Sequence, residues 1–289
     1  MISDITLGQY FPGDSALHRL DPRTKIILTV LFIVSVFLAN SPVGFFLVLA
    51  ATVALIAISR ISFKVILKGI KPIVFVLIFT ALINVFVTKG EGEPLVDFWI
   101  IKIFKEGLIR AFFMSFRVIL LITGTSVLLT YTTSPILLTD GLENLLSPLK
   151  LVKVPVHILA MMMMIALRFI PTLIEETEKI MNAQKSRGAD FTSGSLVRRA
   201  KALIPILIPL IISAFKRADE LAVAMECRCY RGDKNRTKMR KLKYRAIDFS
   251  WFFIGAIFIG AMIALLTLPD SVWSFLPDNV FAIVFYNLK

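Results

Sequence analysis

Two arginines stand at matched positions in the second half of the chain. The hexamer Ala183-Gln184-Lys185-Ser186-Arg187-Gly188 lines up with Ala224-Met225-Glu226-Cys227-Arg228-Cys229, and at the same constant offset Glu178 falls on Asp219 and Ile174 on Phe215. A guanidinium is a planar fork that binds a carboxylate through two parallel hydrogen bonds, so an arginine at a helix tip is suited to an acidic partner. The plainer role is that each arginine caps its own helix, where a cation meets the negative end of the helix dipole. Residue types leave both roles open. Gly188 accepts the left-handed conformation that ends helices. The second copy has Cys229 in that place, and Tyr230-Arg231-Gly232 follows at once, so Arg231 competes with Arg228 as the second tip.

Other reactive constellations are missing from the sequence. It contains no Gly-x-x-x-x-Gly-Lys-Ser/Thr loop to cradle nucleotide phosphates and no Gly-x-Ser-x-Gly elbow. Its two histidines, His18 and His157, have no Cys, Asp, Glu or His at metal-ligand spacing on a helix, although His18 lies between Asp14 and Asp21. A hydrogen bond within a folded N-terminal loop is the expected role of His18. Cys227 and Cys229, the two cysteines, sit too close along a helix to bridge readily and read as reduced cytosolic thiols or small core residues. We expect no catalytic residue, no metal and no cofactor, and without a P-loop the energy for any driven process must come from elsewhere.

The elements that carry the arginines are long helices. Leu173, Ile174, Thr177, Ile180, Met181 and Gln184 follow one helical face, and Ile211, Phe215, Ala218, Ala222, Met225 and Cys229 follow another, each opposite charged residues. Both patterns begin apolar and contain proline (Pro171; Pro205 and Pro209). Residues 155–187 would form a helix of about 50 Å, longer than the roughly 30 Å core of a bilayer. With Glu175, Glu176, Glu178, Lys179 and Lys185 in its second half, this helix cannot simply span. Small side chains permit close backbone approach, so the two helices are expected to pack Ala183 against Ala218, Ala222 or Ala224.

The surroundings are membrane-like. Of 289 residues 57% are hydrophobic, and the mean hydropathy is +0.79, against roughly 45–50% apolar content in a soluble domain. Apolar runs cover 26–40, 43–59, 72–87, 112–131 and 249–268, with further stretches at 154–174 and 202–215 and a broken one at 272–286. The fold class is therefore an all-α integral membrane protein with five to eight embedded helices plus long amphipathic helices. Three regions are expected: transmembrane residues 1–135, a coupling-helix region 136–247, and a second transmembrane region 248–289. The polar segment ahead of Ile26 lacks the apolar core of a signal peptide. Arg117 and Asn84 are the strongly polar residues of the first four runs. An ion relay would call for acidic groups in mid-membrane, and Arg117 would be satisfied by a headgroup or a backbone carbonyl.

Charge gives an orientation. Residues 140–247 hold 20 Lys/Arg against 10 Asp/Glu and so carry +10 of the net +13. Lys and Arg accumulate on the cytoplasmic side, which places this region, the N-terminus and the Arg60-to-Lys71 loop inside. The acidic loop with Glu91, Glu93 and Asp97 belongs outside. Lys102, Lys105 and Arg110 run against the rule. The dense run 234–245 fits anionic lipid headgroups better than nucleic acid, which is not an expected partner.

Further motifs carry a family resemblance. Gly8-Gln9-Tyr10-Phe11-Pro12-Gly13-Asp14-Ser15, then Leu17-His18-Arg19-Leu20-Asp21-Pro22-Arg23-Thr24-Lys25, then Thr130-Tyr131-Thr132-Thr133-Ser134-Pro135, together with both arginine hexamers, resemble the transmembrane coupling subunit (T component) of energy-coupling factor (ECF) vitamin transporters. In that family two short Ala-Arg-Gly motifs on cytoplasmic coupling helices dock into two related P-loop ATPases. The resemblance assigns those roles to Ser186-Arg187-Gly188 and Cys227-Arg228-Cys229, with Arg231 adjacent. It implies an ATPase pair, expected to be a heterodimer, and a separate substrate-binding membrane protein (S component) as partners. It leaves the vitamin unnamed. The rival reading is an ion-coupled secondary transporter. Apart from the family, Asp21 and Pro22 make an N-cap and first-turn pair for the first span, with Arg23 and Lys25 as expected interfacial anchors.

Overall fold

The computed structural model describes residues 10–39, 41–87, 96–98, 101–191, 195–232 and 242–267. The apolar stretch 272–286 and most of the basic run 234–245 lie outside the described residues. Nine α-helices are described: α1 Pro22–Leu38, α2 Pro42–Ser59, α3 Phe63–Ile70, α4 Val74–Val87, α5 Lys105–Thr125, α6 Pro135–Leu145, α7 Val156–Ser186, α8 Leu196–Cys227 and α9 Ala246–Thr267. A 3-10 turn, Lys71–Ile73, runs α3 into α4, and a π turn, Ser126–Thr130, continues α5. Four segments are long and apolar enough to cross a membrane: Phe63–Phe86, Gly107–Thr130, Val156–Ser186 and Ala246–Thr267. With the shorter α1 and α2 they make an all-α membrane protein. One departure from that class is a small antiparallel ladder, β1 Val96–Phe98 with β2 Ile101–Ile103, which sets Asp97 opposite Lys102.

The described residues form two compact units, one comprising those up to Gly141 and those from Leu242 onward, the other those from Leu142 to 232. The first holds α1 to α5 and α9. Its core runs from Leu17 and Leu20 through Leu28, Phe32 and Val36 of α1 to Val48, Leu55, Leu120, Val127 and Met262.

This unit is fastened at the helix starts. Asp21 is the N-cap of α1 and accepts a 2.9 Å hydrogen bond from the Arg23 amide, with Pro22 at the first helical position. Its own amide donates to Asp248 Oδ1 at 2.8 Å. Asp248 Oδ2 accepts from the Arg245 amide at 2.7 Å, the reach-back of a capping box at the start of α9. One fully buried carboxylate therefore satisfies orphan amides at two helix ends.

Arg23 and Lys25, expected to anchor the first span on the inside, both find partners within the protein. The Arg23 guanidinium pairs with Asp21 and lies 4.1 Å from the centre of the Tyr244 ring. Lys25 is buried and donates to the Thr132 carbonyl at 2.8 Å and to Thr133 Oγ1 at 3.0 Å. Thr132 lies in the non-helical break between the π turn and α6, where its carbonyl accepts from Lys25. The two motif segments 17–25 and 130–135 thus meet. Gly69 is required beside them, because a Cβ there would collide with the Tyr131 hydroxyl.

Other polar residues find local partners. Arg117 donates to the Ala39 carbonyl at 2.7 Å and lies over Phe45, and Asn84 bonds back to Thr80. His18 bridges Ser15 Oγ and the Phe11 carbonyl within the N-terminal loop, as expected.

Replacing Asp248 by alanine leaves the buried Asp21 amide without an acceptor, at about 1–3 kcal/mol, and removes the cap from the Arg245 amide at the start of α9. Asp248→Ala is therefore expected to melt well below the wild type in detergent, followed by tryptophan fluorescence, whereas exposed Asp219→Ala melts with the wild type.

Candidate functional site

The arginines sit at the ends of α7 and α8, the two longest helices described, at 31 and 32 residues. Ser195 caps the start of α8 by accepting from the Arg198 amide. Pro171 in α7 and Pro205 and Pro209 in α8 each remove an intrahelical hydrogen bond, which bends a helix without ending it when the remaining pattern is strong.

The two helix ends are the same structure. In α7 the Gly188 amide donates to the Lys185 carbonyl at 2.9 Å and the Ala189 amide to the Gln184 carbonyl at 3.0 Å. In α8 the Cys229 amide donates to Glu226 at 2.8 Å and the Tyr230 amide to Met225 at 3.0 Å. These are paired Schellman bonds, and every donor and acceptor in the second set is the repeat equivalent of its counterpart in the first. Arg187 (φ −88°, ψ 8°) and Arg228 (φ −90°, ψ 16°) occupy the same capping position. Each is followed by a left-handed residue, Gly188 at φ +84° and Cys229 at φ +58°. The missing glycine has not changed the turn; a cysteine adopts it at a cost of about 1–2 kcal/mol. Arg231 lies outside this repeat, before a second left-handed glycine, Gly232, at φ +80°.

Ser186, Arg187, Gly188, Cys227, Arg228, Cys229 and Arg231 are all exposed. The Ser186 hydroxyl donates back to the Asn182 carbonyl. Ala183, Ala218, Ala222 and Ala224 are exposed as well, so the expected small-residue faces are not buried where α7 meets α8. Polar groups mark the meeting point instead. Glu176 Oε2 accepts from Arg217 Nη2 at 2.7 Å, and Glu176 Oε1 accepts from the Ser213 hydroxyl.

The pair has a positional meaning. Arg217 is the repeat equivalent of Glu176, at the same offset that carries Arg187 onto Arg228. Each arginine then lies eleven residues beyond the crossing, from 176 to 187 and from 217 to 228, or about 16 Å along its helix. The sequence held this pair in its repeat register, as opposite charges on equivalent positions. A second unforeseen contact is buried at the start of α7, where His157 Nδ1 and Glu143 Oε1 are 2.9 Å apart. Among the described residues no three His, Cys, Asp or Glu side chains gather as a metal site.

A family model described as cobalt transport protein, CbiQ, matches residues 13–239. Among curated proteins, the energy-coupling factor transporter transmembrane protein EcfT of Clostridium kluyveri is 54% identical over 249 residues, covering 86% of this chain and 92% of the relative. The chain belongs to the CbiQ family of energy-coupling factor transmembrane proteins. EcfT of Bacillus subtilis is 48% identical over 263 residues, covering 91% and 98%, and EcfT of Heliobacterium modesticaldum is 55% identical over 254 residues, covering 86% and 93%. The chain is thus the membrane-embedded T component of an ECF transporter. The CbiQ match takes in both arginine hexamers.

The two ends differ in strain alone. Cys229→Gly is expected to stabilise the α8 end by about 1 kcal/mol, and Gly188→Ala to destabilise the α7 end by a similar amount. Local amide exchange across 225–230 and 184–189 then slows and quickens respectively, each roughly fivefold.

Proposed function

We propose that this T component is the non-catalytic coupling subunit of an ATP-driven vitamin or micronutrient importer. Two P-loop ATPases, expected as a heterodimer, receive Arg187 and Arg228, and a separate S component binds the substrate and rests on α7 and α8. The observation that carries this reading is the repetition of one exposed, Schellman-closed arginine tip at two equivalent positions. A capping arginine needs no such matching. Two tips of one geometry at equal distance from one crossing fit two related receptors.

On this reading Arg228 is the second principal contact and Arg231 an auxiliary one, because Arg228 has nearly the backbone angles of Arg187 and donates its amide to the repeat-equivalent carbonyl. The planar guanidinium would grip a carboxylate in each ATPase. Closure of the ATPase pair on ATP would move both tips, and the crossing at Glu176 and Arg217 would convert that into a change of angle between α7 and α8. The S component, leaning on these helices, would be reoriented. Residues 136–247 are the coupling region between transmembrane regions 1–135 and 248–289. The coupling region and N-terminus face the cytoplasm in the cell membrane, by the Lys/Arg bias. ATP is hydrolysed by the partners and not by this chain. The family description names cobalt and the relatives' names no substrate, so the cargo is left to the S component.

The test is affinity purification of the tagged chain in mild detergent from cells expressing the whole transporter, with partners identified by mass. Two P-loop ATPases are expected with the wild type. Hydrogen bonds to charged groups are worth about 1.5–3 kcal/mol, so Arg187→Ala or Arg228→Ala weakens retention roughly ten- to a hundredfold. The double variant loses both ATPases, and lysine restores little because it lacks the fork. Full retention and normal transport by the double alanine variant would reduce the arginines to helix caps.

A further inference from the structure

The membrane unit contains an apolar crevice that the coupling reading does not use. It lies between α1, α2 and α9, has a volume of about 260 Å³, and is lined by Leu28, Phe32, Ala54, Ile58, Trp251 and Gly255 among others. Its floor is buried, with Leu28 and Phe32 in the core, and its rim is exposed at Ala54, Ile58 and Ile254. Gly255 keeps it open on the α9 side, where its backbone abuts Leu28.

The ends of the three helices fix where the crevice lies. α1 and α9 start together, joined from the Asp21 amide to Asp248. α2 follows α1 after the short break 39–41 and returns beside it, so it finishes at that same end, at Arg60. Counted from those ends at about 1.5 Å per residue, the lining spans depths of roughly 2 Å at Ile58 to 18 Å at Phe258. One leaflet's share of the hydrocarbon core is about 15 Å. The crevice therefore lies in the half of the bundle nearest those ends, with Trp251 about 8 Å down α9.

The mouth is basic. Arg60 closes α2 in a left-handed cap and is exposed, and Lys243 and Arg245 are exposed just ahead of α9. Among the described residues no carboxylate pairs with these three. The nearby acids are engaged: Asp21 holds Arg23, and Asp248 accepts two backbone amides. An apolar trough roughly as long as one leaflet is deep, opening toward helix ends that carry three exposed cations, matches a ligand with a long alkyl chain and an anionic head. A second copy of the chain would bring its own Lys/Arg-rich end to the same mouth and be repelled.

We propose that this crevice holds one acyl chain of an anionic phospholipid whose headgroup is bound by Arg60, Lys243 and Arg245. Each cation near a membrane surface contributes on the order of 1 kcal/mol toward an anionic lipid, so the three together favour an anionic over a zwitterionic head by at least about tenfold.

The full chain in mild detergent is titrated with dioleoyl phosphatidylglycerol or dioleoyl phosphatidylcholine and the retained lipid counted by native mass spectrometry. One phosphatidylglycerol is expected, at least about tenfold preferred. Ala54→Phe, which fills the crevice, is expected to lower retention of both lipids about tenfold. The combined Arg60→Gln, Lys243→Gln, Arg245→Gln variant retains both lipids equally. Equal retention of the two lipids by the wild type, no retention at all, or an unchanged preference in the triple variant overturns the proposal. The triple variant alters exposed side chains only, so the test stands even where Ala54→Phe yields no folded protein.

Discussion

Glu176 is the residue on which the meeting of α7 and α8 turns. Two helices of more than thirty residues meet without burying their small faces, and the polar contacts at their crossing converge on one carboxylate that accepts from Ser213 and Arg217. A partly exposed ion pair contributes little to overall stability, on the order of 1 kcal/mol. Its effect here is positional. It joins equivalent residues of a repeat, which makes the two arms beyond it equal and leaves their arginine tips exposed in the same conformation.

The membrane unit is fastened by the opposite means. Asp248 is fully buried, and both its oxygens are committed to backbone amides of α1 and α9. Lys25, also buried, ties the start of α1 to the segment after the π turn. Buried charge is costly unless fully hydrogen-bonded, and these groups have partners at 2.7–3.0 Å. The result is a frame whose helix starts are fixed, in a chain whose other unit is built around two long helices linked by the Glu176–Arg217 pair.

Much of this was legible in the residues. Hydropathy placed the embedded helices, Asp21-Pro22 marked the start of α1, and the constant offset between the two hexamers found both arginine tips and their caps. These features are local: a period, a capping residue or a left-handed turn is written within a few positions. Lys25 was misjudged because a lysine in the first turn of a span ordinarily faces headgroups. Only the tertiary approach of residues 131–134 offers it acceptors. Asp248 and the pair Glu143–His157 were missed for the same reason. Glu176 and Arg217 are the instructive case, since their equivalence was present in the repeat but their contact depends on how the helices cross. The tip cysteine, Cys229, shows the converse: the backbone hydrogen bonds hold the turn although the residue type disfavours it.

The central claim is that one crossing sets the separation of the two tips. It is tested most directly by spin labels at Ser186→Cys and at native Cys227, with Cys229→Ser removing the neighbouring thiol, and by the dipolar distance distribution between them. Two arms of about 16 Å put the helix ends no more than roughly 33 Å apart. The account predicts a single narrow distribution within that limit, beyond the length of the labels, which broadens when Glu176→Ala is added. Superimposable distributions with and without Glu176 would contradict it.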